Sequence, residues 1–459
     1  MPQTKNKWNL FQIKQCNKKI GQALLHDEQT LASFCDDFGK LTHSNPVAVF
    51  EPKTTESAQL LIQHAHANQL PVTLRGYGMS QSGQSLTVPG GVILNMKHFD
   101  SVSEVDSHSI WVEANASWSS LLEKTLQQSL IPYVVPNNCN LSVGGVISAG
   151  GIGASSFKYG SVTAHVNSLK IIQANGELIQ VDSQSSLMQA CLGGQGRFGL
   201  ITQACIALRS CCNFVRTFFL VYLDKESWLH DLHLCRTKAD FLESFCTPAI
   251  QGAKLSETGR LPFAQWLYAI HVSLEYNEFA PDFSSLELRP WRLLHTQDES
   301  MHSYLHRHDP RFTAMKVAGQ WDLQHPWYEC FIPGSQLESL DALLDTLPIH
   351  YASVVHIAAV ASISPAGFLQ LPKSNDIFAL MILNPGLPPA FIPGCLQTIQ
   401  YLDSIFLPNG GKRYLSGYLG ESPKTQFWKN HFEERYEDWI GLKKHYDPQN
   451  IFCSFLHRH

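Results

Sequence analysis

The sequence predicts an α+β protein built from more than one domain. Its 459 residues are enough for two or three domains, and the 44% of apolar residues can fill large cores. Two glycine-rich loops lie within a strand-rich N-terminal region, whereas the segments after residue 215 are longer, rich in aromatic residues and poor in glycine. These observations indicate a glycine-rich first domain and a second domain of different composition.

The first domain opens with a predicted strand–helix–strand unit. The segment PVAVFEPKTTESAQLLIQHAHANQLPVTLRG has an apolar strand, an amphipathic helix and a second strand that ends at Arg75. The apolar face of this helix carries Ala58, Leu61, Ile62 and Ala65. After the first glycine-rich loop, GVILNMKHF and the alternating SIWVEAN predict two more strands. The next predicted helix has one face made of Trp118, Leu121, Leu122, Thr125 and Leu126.

The second glycine-rich segment, LSVGGVISAGGIGASSFKYG, comes before a predicted hairpin. In SLKIIQANGELIQVD, the pair Asn175-Gly176 separates two β-rich runs, which is a strong hairpin pattern. The segment ACLGGQGRFGLITQACIAL closes this region, and the composition changes near RSCCN and again near LPNGGKRY. We therefore predict a first domain at 1–214, a second at 215–410, and a segment at 411–459 that returns to the first domain.

Composition and charge exclude several classes of function. The net charge is −5 and the chain has no long run of Lys or Arg, so we expect no nucleic-acid partner. The longest apolar stretches are too short, or too interrupted by Gly and Pro, to cross a bilayer. The N-terminus lacks the apolar core of a signal peptide, and the 12 cysteines form no C-x-x-C pair. We expect a cytoplasmic protein with reduced thiols and no membrane partner.

The segment HSYLHRHD resembles a metal site. His302 and His306 lie one helical turn apart, with His308 and Asp309 beside them. Because the chain contains 21 histidines, a coincidence of spacing is the better explanation. No metal site is predicted.

The first loop, LRGYGMSQSGQS, is not a dinucleotide fingerprint, since Gln81 stands where the third glycine of G-x-G-x-x-G belongs. Glycines nevertheless let the backbone bend tightly, so that successive N–H groups converge on anionic oxygens. Ser80, Ser82 and Gln84 add side-chain donors. A solvent-exposed turn is the alternative interpretation of this loop by itself.

The second loop strengthens the prediction of a phosphate-bearing ligand. Its small residues allow close backbone approach to a pyrophosphate or a flat ring system; they are Ser142, Gly144, Gly145, Ser148, Gly150, Gly151 and Gly153. Two such loops favour one extended dinucleotide cofactor held between them. The alternative is that the small residues only pack a helix against a sheet.

Six motifs, taken in their order along the chain, resemble those of a known family. The order RGYGMSQSGQ, LSVGGVISAGGIGASSFKYG, NGELIQV, CLGGQGRFGLITQA, HPW and KKHYDPQNIF is similar to cytokinin dehydrogenases and their bacterial relatives, among the FAD-binding flavoproteins of the vanillyl-alcohol-oxidase type. The resemblance extends from about residue 36 to 452. It implies a two-subdomain PCMH-type FAD-binding domain, formed by 1–214 and 411–459. It also implies an α+β substrate-binding cap with an antiparallel sheet at 215–410.

The resemblance also implies the residues that contact FAD. The first loop would wrap the pyrophosphate, the second loop and the segment at Leu200 would line the rest, and the YLSGYL segment would close over the flavin ring. The implied cofactor-binding residues are Gly76, Tyr77, Gly78, Met79, Ser80, Gln84, Ser142, Gly145, Ser148, Ile152, Ile201 and Tyr414. The histidine cluster falls on a segment similar to the family's F-L-x-R-V-H, which weakens the metal interpretation further.

One departure from the family concerns attachment of the flavin. Many relatives read R-G-x-G-H-S, in which the histidine is bonded covalently to the flavin, whereas this sequence has Met79 at that position. A thioether does not easily form the stable adduct that an imidazole forms, so we predict non-covalent FAD. Cys139 lies near the place where distant relatives form a cysteinyl link, but its register is one residue off.

Two further departures concern proton transfer. Cytokinin dehydrogenases read W-T-D-Y-L before the second loop, and the aspartate accepts a proton from the substrate amine; here Asn137 takes its place. An amide has no basic site near neutral pH. A family glutamate in the cap corresponds to His271, which we predict either as the base or as a hydrogen-bonding group for a different substrate. A structural histidine is the alternative.

These observations predict an FAD-dependent oxidoreductase. A small amine, alcohol or sugar-like substrate would give hydride to non-covalently bound FAD, and oxygen or another small acceptor would reoxidise the cofactor. The alternative is a degenerate, catalytically inactive module that binds FAD or a small molecule, since three chemical positions of the family are changed together. The sequence predicts no particular oligomeric state.

Overall fold

A computed structural model describes residues 6–257, 259–349, 351–352, 354–363, 367–420 and 423–458. It confirms the predicted α+β class. The helices in these residues are α1 (Leu10–Ile20), α2 (Glu28–Ala32), α3 (Thr55–Asn68), α4 (Trp118–Thr125), α5 (Val143–Ala149), α6 (Ser156–Tyr159), α7 (Ser186–Cys191), α8 (Lys225–Lys238), α9 (Met301–Leu305), α10 (Asp309–Val317), α11 (Leu340–Thr346), α12 (Ile392–Phe406), α13 (Thr425–Phe432) and α14 (Tyr436–Tyr446).

Within these described ranges, the strands form three sheets. Their bounds are β1 (Ala48–Phe50), β2 (Val72–Arg75), β3 (Val92–Asn95), β4 (Val102–Asp106), β5 (Ser109–Glu113), β6 (Leu130–Pro132), β7 (Val166–Ile172), β8 (Leu178–Asp182), β9 (Leu200–Ser210), β10 (Phe214–Tyr222), β11 (Phe241–Ser256), β12 (Gly259–Tyr276), β13 (Arg292–Ser300), β14 (Tyr328–Pro333), β15 (Val354–Val360), β16 (Ile377–Leu383) and β17 (Lys412–Arg413). The first loop follows β2, and the second loop contains α5.

The predicted strand–helix–strand unit is present at the N-terminus. Strands β1, β3 and β2 form a parallel sheet in that order, and α3 connects β1 to β2. Thr54 and Ser57 form a reciprocal capping box that satisfies backbone donors at the start of α3. The helix buries its predicted apolar face, including Leu61 and Ile62. This unit therefore fixes the end of β2, from which the first glycine-rich loop departs.

The second sheet is antiparallel, with the order β4-β5-β9-β7-β8 and β6 paired to β9. Strands β7 and β8 form the hairpin that Asn175-Gly176 predicts, and Gly176 has a φ of 85°, a conformation that suits glycine. Helix α4 buries Trp118 and Leu122, as predicted. Helix α5 packs against this sheet and carries the second loop.

The third sheet is antiparallel and eight-stranded, with the order β13-β10-β12-β11-β15-β16-β14-β17. Because side chains alternate along a strand, each strand presents two different faces. One face packs against α8, α11 and α12 in a core that contains Trp228, Leu343 and Ile399. The opposite face, at the strands β14, β15 and β16, is directed toward the two glycine-rich loops. The predicted boundary at residue 410 falls just before β17, the edge strand of this sheet.

The C-terminal residues contact the N-terminal sheet. Val72 N of β2 donates to Ile451 O at 2.8 Å, and Thr73 Oγ1 donates to Cys453 O at 2.6 Å. Ile451 and Phe452 are buried in the same core as β1 and β3. The domain boundaries themselves stay a prediction. In the part of the chain that is described, none of the helices combines the length and apolar character needed to cross a membrane.

A buried ion pair holds the C-terminal segment in place. Lys443 Nζ donates to Asp447 Oδ2 at 2.5 Å, and also to the backbone oxygens of Arg197 and Phe452 at 2.8 and 2.7 Å. Both charged side chains are buried. Removing one partner of such a pair leaves an uncompensated buried charge.

We predict that Lys443→Met lowers the free energy of unfolding by about 3–5 kcal/mol, since Asp447 then loses its cation. Chemical denaturation monitored by circular dichroism measures this change. The control is Lys444→Met, an exposed neighbour on the same helix, for which we expect a change within about 0.5 kcal/mol. Equal losses for the two variants would contradict this account of the segment.

Candidate functional site

A cavity of about 350 Å³ lies between the two glycine-rich loops and the face of the eight-stranded sheet that is directed toward them. All the residues predicted to contact the cofactor line this cavity, as does Asn137. They are Gly76, Tyr77, Gly78, Met79, Ser80, Gln84, Ser142, Gly145, Ser148, Ile152, Ile201 and Tyr414. The structure therefore brings the two loops, the start of β9 and the C-terminal segment together at one place.

The first loop is shaped by residues that precede β1. Phe38 N donates to Gly78 O at 2.9 Å, and the Asp37 carboxylate accepts from Ser80 Oγ at 2.9 Å and from Gly83 N at 2.8 Å. Gly78 has a φ of 69°, and a Cβ there would lie 2.5 Å from the Arg75 guanidinium. Burial raises the pKa of Asp37 to about 6. Sequence reasoning missed Asp37, because nothing local indicates its contact with the loop.

The glycines of the second loop have different roles. A Cβ on Gly144 would lie 2.8 Å from Ala114 Cβ, and one on Gly153 would lie 1.9 Å from Val135 O, so these two glycines permit close packing. A Cβ on Gly145 would lie 2.8 Å from the Ser142 hydroxyl, a side-chain end that can rotate, and it would meet no other atom within 4 Å. Gly145 therefore borders the open cavity. Gly144 and Gly153 thus fit the interpretation that small residues allow close packing, whereas Gly145 fits the interpretation that the loop approaches a cofactor.

The C-terminal segment joins both loops to the eight-stranded sheet. Gly151 N of the second loop donates to Tyr414 Oη at 2.9 Å. Gln84 Nε2 of the first loop donates to Leu415 O at 2.8 Å. Tyr414 directly follows β17, so these two bonds connect the edge of the sheet to each loop.

Two buried oxygens at the cavity have no partner within the described residues. They are Asn115 Oδ1 and Asn137 Oδ1, and both side chains line the cavity. An unsatisfied buried acceptor costs about 1–3 kcal/mol, so it favours a ligand that donates hydrogen bonds. Together with the open position at Gly145 and the hydroxyls of Ser80 and Ser148, this donor and acceptor set fits an extended cofactor that has a flat ring system and a phosphate chain.

Glu243 on β11 forms an ion cluster at the wall of the cavity. Its carboxylate accepts from Asn137 Nδ2 at 3.1 Å, from Arg307 Nε at 2.8 Å and from His308 Nε2 at 2.8 Å. Burial acts to raise the pKa of Glu243, but the charges of Arg307 and His308 outweigh it and hold the pKa well below its ordinary value. Glu243 is therefore an ionised hydrogen-bond acceptor rather than a proton acceptor at neutral pH.

His356 on β15 and Glu329 on β14 also line the cavity. The His356 ring stacks on Phe245 at 4.7 Å, and burial lowers the pKa of His356 to about 4, so the ring is neutral at neutral pH. Burial raises the pKa of Glu329 to about 7. Sequence reasoning missed Glu243, Glu329 and His356. The available signal was a single polar residue within an apolar strand, as in VVHIAAV.

His271, predicted as the base or as a hydrogen-bonding group, lies beside the cavity wall rather than in its lining. His271 is the cross-strand neighbour of Glu243, one strand further from the centre of the sheet, and it does not line the cavity. Its ring packs against Phe219 at 4.5 Å and Phe245 at 4.9 Å, and burial lowers the pKa of His271 to about 4. These contacts favour the alternative interpretation, a structural histidine, and the role of His271 as the base stays a prediction.

Cys139 and the histidine cluster lie outside the cavity lining. Cys139 is buried and its Sγ donates to Leu305 O at 3.3 Å. The rings of His302 and His306 stack at 4.5 Å, and His306 Nε2 bonds to Ser119 Oγ at 3.0 Å. Over the described ranges, no group of three or more His, Cys, Asp or Glu side chains is placed to hold a metal ion.

Comparisons with known proteins agree with this geometry. A family model described as an FAD binding domain matches residues 46–182, which include both glycine-rich loops. An uncharacterised oxidoreductase of the fasciation locus of Rhodococcoides fascians is 27% identical over 450 residues, covering 93% of this chain and 97% of the relative. Cytokinin dehydrogenase 7 of Oryza sativa subsp. japonica is 26% identical over 481 residues, covering 94% and 90%. Cytokinin dehydrogenase 4 of Arabidopsis thaliana is 24% identical over 501 residues, covering 94% and 91%. The cofactor of this chain is FAD.

We predict that Gly145→Val weakens FAD binding by about tenfold or more, because the added side chain occupies the cavity. Titration of the apoprotein with FAD, followed by quenching of flavin fluorescence, measures the affinity. Gly441→Val is the matched control, since a Cβ on Gly441 meets nothing within 4 Å and the residue lies on the exposed side of α14. An unchanged affinity for Gly145→Val would show that FAD does not approach this loop.

Proposed function

We propose that this chain, an FAD-dependent oxidoreductase that resembles cytokinin dehydrogenases over most of its length, oxidises a small amine or alcohol with FAD held non-covalently. The proposal is supported mainly by the cavity at which both glycine-rich loops meet a wall with polar side chains. One wall then serves the cofactor and the opposite wall serves the substrate. Oxygen or another small acceptor reoxidises the cofactor.

The residues that hold FAD are those of the two loops and the C-terminal segment. The backbone at Gly76, Gly78 and Ser80 faces the cavity, as expected for a loop that binds a pyrophosphate. Ile152 and Tyr414 supply apolar surface for a flat ring. When bound, FAD supplies the hydride acceptor for the reaction. The protein contributes orientation of the substrate and exclusion of water.

Met79 supports non-covalent attachment. Its side chain is half-buried and lines the cavity at the position where the family carries the bonding histidine. Cys139, the other candidate for a covalent bond, does not line the cavity. Neither residue therefore supplies a suitable nucleophile at the cofactor.

The wall formed by the eight-stranded sheet favours a small substrate that carries an N–H or O–H group. Leu242, Ala358 and Met381 are apolar, and they surround acceptors on Glu243 and His356. An ionised carboxylate and a neutral imidazole both accept hydrogen bonds from an amine or an alcohol. These groups position the substrate, while the apolar side chains exclude water from the reacting carbon.

An inactive FAD-binding module is the second candidate. It is favoured by Asn137, whose amide cannot accept a proton and whose Nδ2 is bonded to the Glu243 carboxylate. This position thus carries no base. The two candidates differ in whether a substrate reduces the bound flavin.

The test of function is anaerobic mixing of the FAD-loaded protein with a series of primary and secondary amines and alcohols. We expect at least one compound to bleach the visible absorption of the flavin and oxygen to restore it. Dithionite reduction of the same sample is the control, because it shows that the bound flavin is redox-active. Flavin that dithionite reduces but that no substrate reduces would support the inactive module and contradict catalysis.

A separate prediction concerns the flavin linkage. We expect acid precipitation of the wild-type protein to release all its flavin, and Met79→His to retain flavin in the pellet, because an imidazole at residue 79 is able to bond the cofactor. Met79→Leu is the control and should release its flavin like the wild type. Flavin in the wild-type pellet would contradict the non-covalent proposal, and complete release from Met79→His would contradict the position assigned to residue 79.

A further inference from the structure

Glu329 is a buried carboxyl group that faces the cavity. It lies on β14 between Tyr328 and Cys330, whose side chains pack in the core on the other face of the sheet. Its cross-strand partner is Met381, and the partner of Met381 on the next strand is His356. All three side chains line the cavity, and that of Glu329 is only 7% exposed.

The contacts of Glu329 leave one oxygen free. Ser416 Oγ donates a hydrogen bond to Glu329 Oε2. Within the described residues, Oε1 receives no hydrogen bond. It is also not fully buried. Ser416 belongs to the same C-terminal segment as Tyr414, so it holds the carboxyl group at the cavity wall. Oε1 is thus available to a molecule in the cavity.

In the described ranges, the charged groups around Glu329 do not form an ion pair with its carboxyl group. The Arg413 guanidinium donates to the Glu329 backbone oxygen at 3.1 Å, but its Nη1 is bonded to both Asp403 carboxylate oxygens at 2.9 and 3.1 Å. The positive charge of Arg413 is therefore largely balanced by Asp403. His356 is uncharged at neutral pH, and Tyr414 Oη accepts from Gly151 N as a neutral phenol.

This environment distinguishes Glu329 from the other groups at the cavity. Burial raises the pKa of Glu329 to about 7, and the hydrogen bond from Ser416 and the charge of Arg413 only partly oppose the shift. Glu243 is held ionised by Arg307 and His308, and the pKa of His356 is about 4. Asn137 has no basic site. The pKa of an efficient general base lies close to the pH at which the enzyme works.

We propose that Glu329 is the catalytic base of this site, an inference that rests on the oxidation proposed above. Its carboxylate takes the proton from the N–H or O–H bond of the substrate. The electron pair of that bond forms the new C=N or C=O bond, while the hydride leaves the adjacent carbon for the FAD. The proton ends on Glu329, and FAD held by the two loops would accept the hydride and pass its two electrons to oxygen or another small acceptor.

The test compares flavin reduction in the FAD-loaded full-length wild type and in Glu329→Gln across pH. We expect the wild-type rate to rise with a pKa of about 7, since the carboxylate must be free to accept a proton. In Glu329→Gln, we expect this dependence to vanish and the rate to fall about 10²–10⁴-fold, with the FAD content unchanged. The control is Glu123→Gln, which removes an exposed carboxylate on α4 and should keep the wild-type rate and pH profile.

A second measurement does not depend on activity. The folded-state pKa of about 7 lies above the ordinary value of 4.5, so the folded protein binds the Glu329 proton more tightly than the unfolded chain. Stability from this proton is present at low pH and is lost as pH rises through about 7. As the pH rises from 4.5 to about 7, the Tm of the wild type should therefore fall relative to the Tm of Glu329→Gln. A Tm difference that is constant over this range would overturn the proposal.

The outcomes separate this proposal from the proposed function. If no amine or alcohol reduces the wild type, the oxidation fails and the base role fails with it. If the wild type is reduced and Glu329→Gln keeps the same rate and pH profile, only the base role is overturned. Ser416→Ala distinguishes a base from a structural residue: losing its hydrogen bond raises the pKa of Glu329, so we expect the pH dependence to move to higher pH.

Discussion

The site depends on the hydrogen bonds by which the C-terminal segment joins the sheet to the two loops. Gly151 N donates to Tyr414 Oη, and Gln84 Nε2 donates to Leu415 O, so one short segment contacts both loops. The same segment begins with β17 at the edge of the eight-stranded sheet. The width of the cavity and the placement of its two walls follow from this junction. The cavity therefore forms only when distant parts of the chain are folded together.

The wall opposite the loops shows how surroundings separate two carboxyl groups on one sheet. Glu243 is paired with Arg307 and His308, which hold it ionised despite its burial. Among the described residues, the carboxyl group of Glu329 receives a hydrogen bond only from the Ser416 hydroxyl, and burial raises the pKa of Glu329 to about 7. Environments that move two pKa values apart allow one group to bind and the other to transfer protons. This division replaces the base that is missing at Asn137.

Much of the fold is predictable from local sequence. The unit around α3, the hairpin at Asn175-Gly176 and the two glycine-rich loops each have local patterns, and the family resemblance places the loops around one cofactor. The proton-transfer groups are not predictable in this way. Whether a strand residue faces the cavity depends on pairing between distant strands, and His271 lies outside the cavity lining because β12 is one strand further out than β11. Glu329 is found only when the alternation along β14 is known.

We infer that one cavity holds the FAD against the loops and presents its ring to the polar wall of the sheet. This arrangement can be examined in a crystal structure of the flavin-loaded protein. We expect a pyrophosphate at residues 76–80, a flavin ring between Ile152 and the sheet with Glu329 on the substrate side, and no bond to Met79. A flavin bound outside this cavity, or a ring that has Glu329 out of reach of its substrate side, would contradict it.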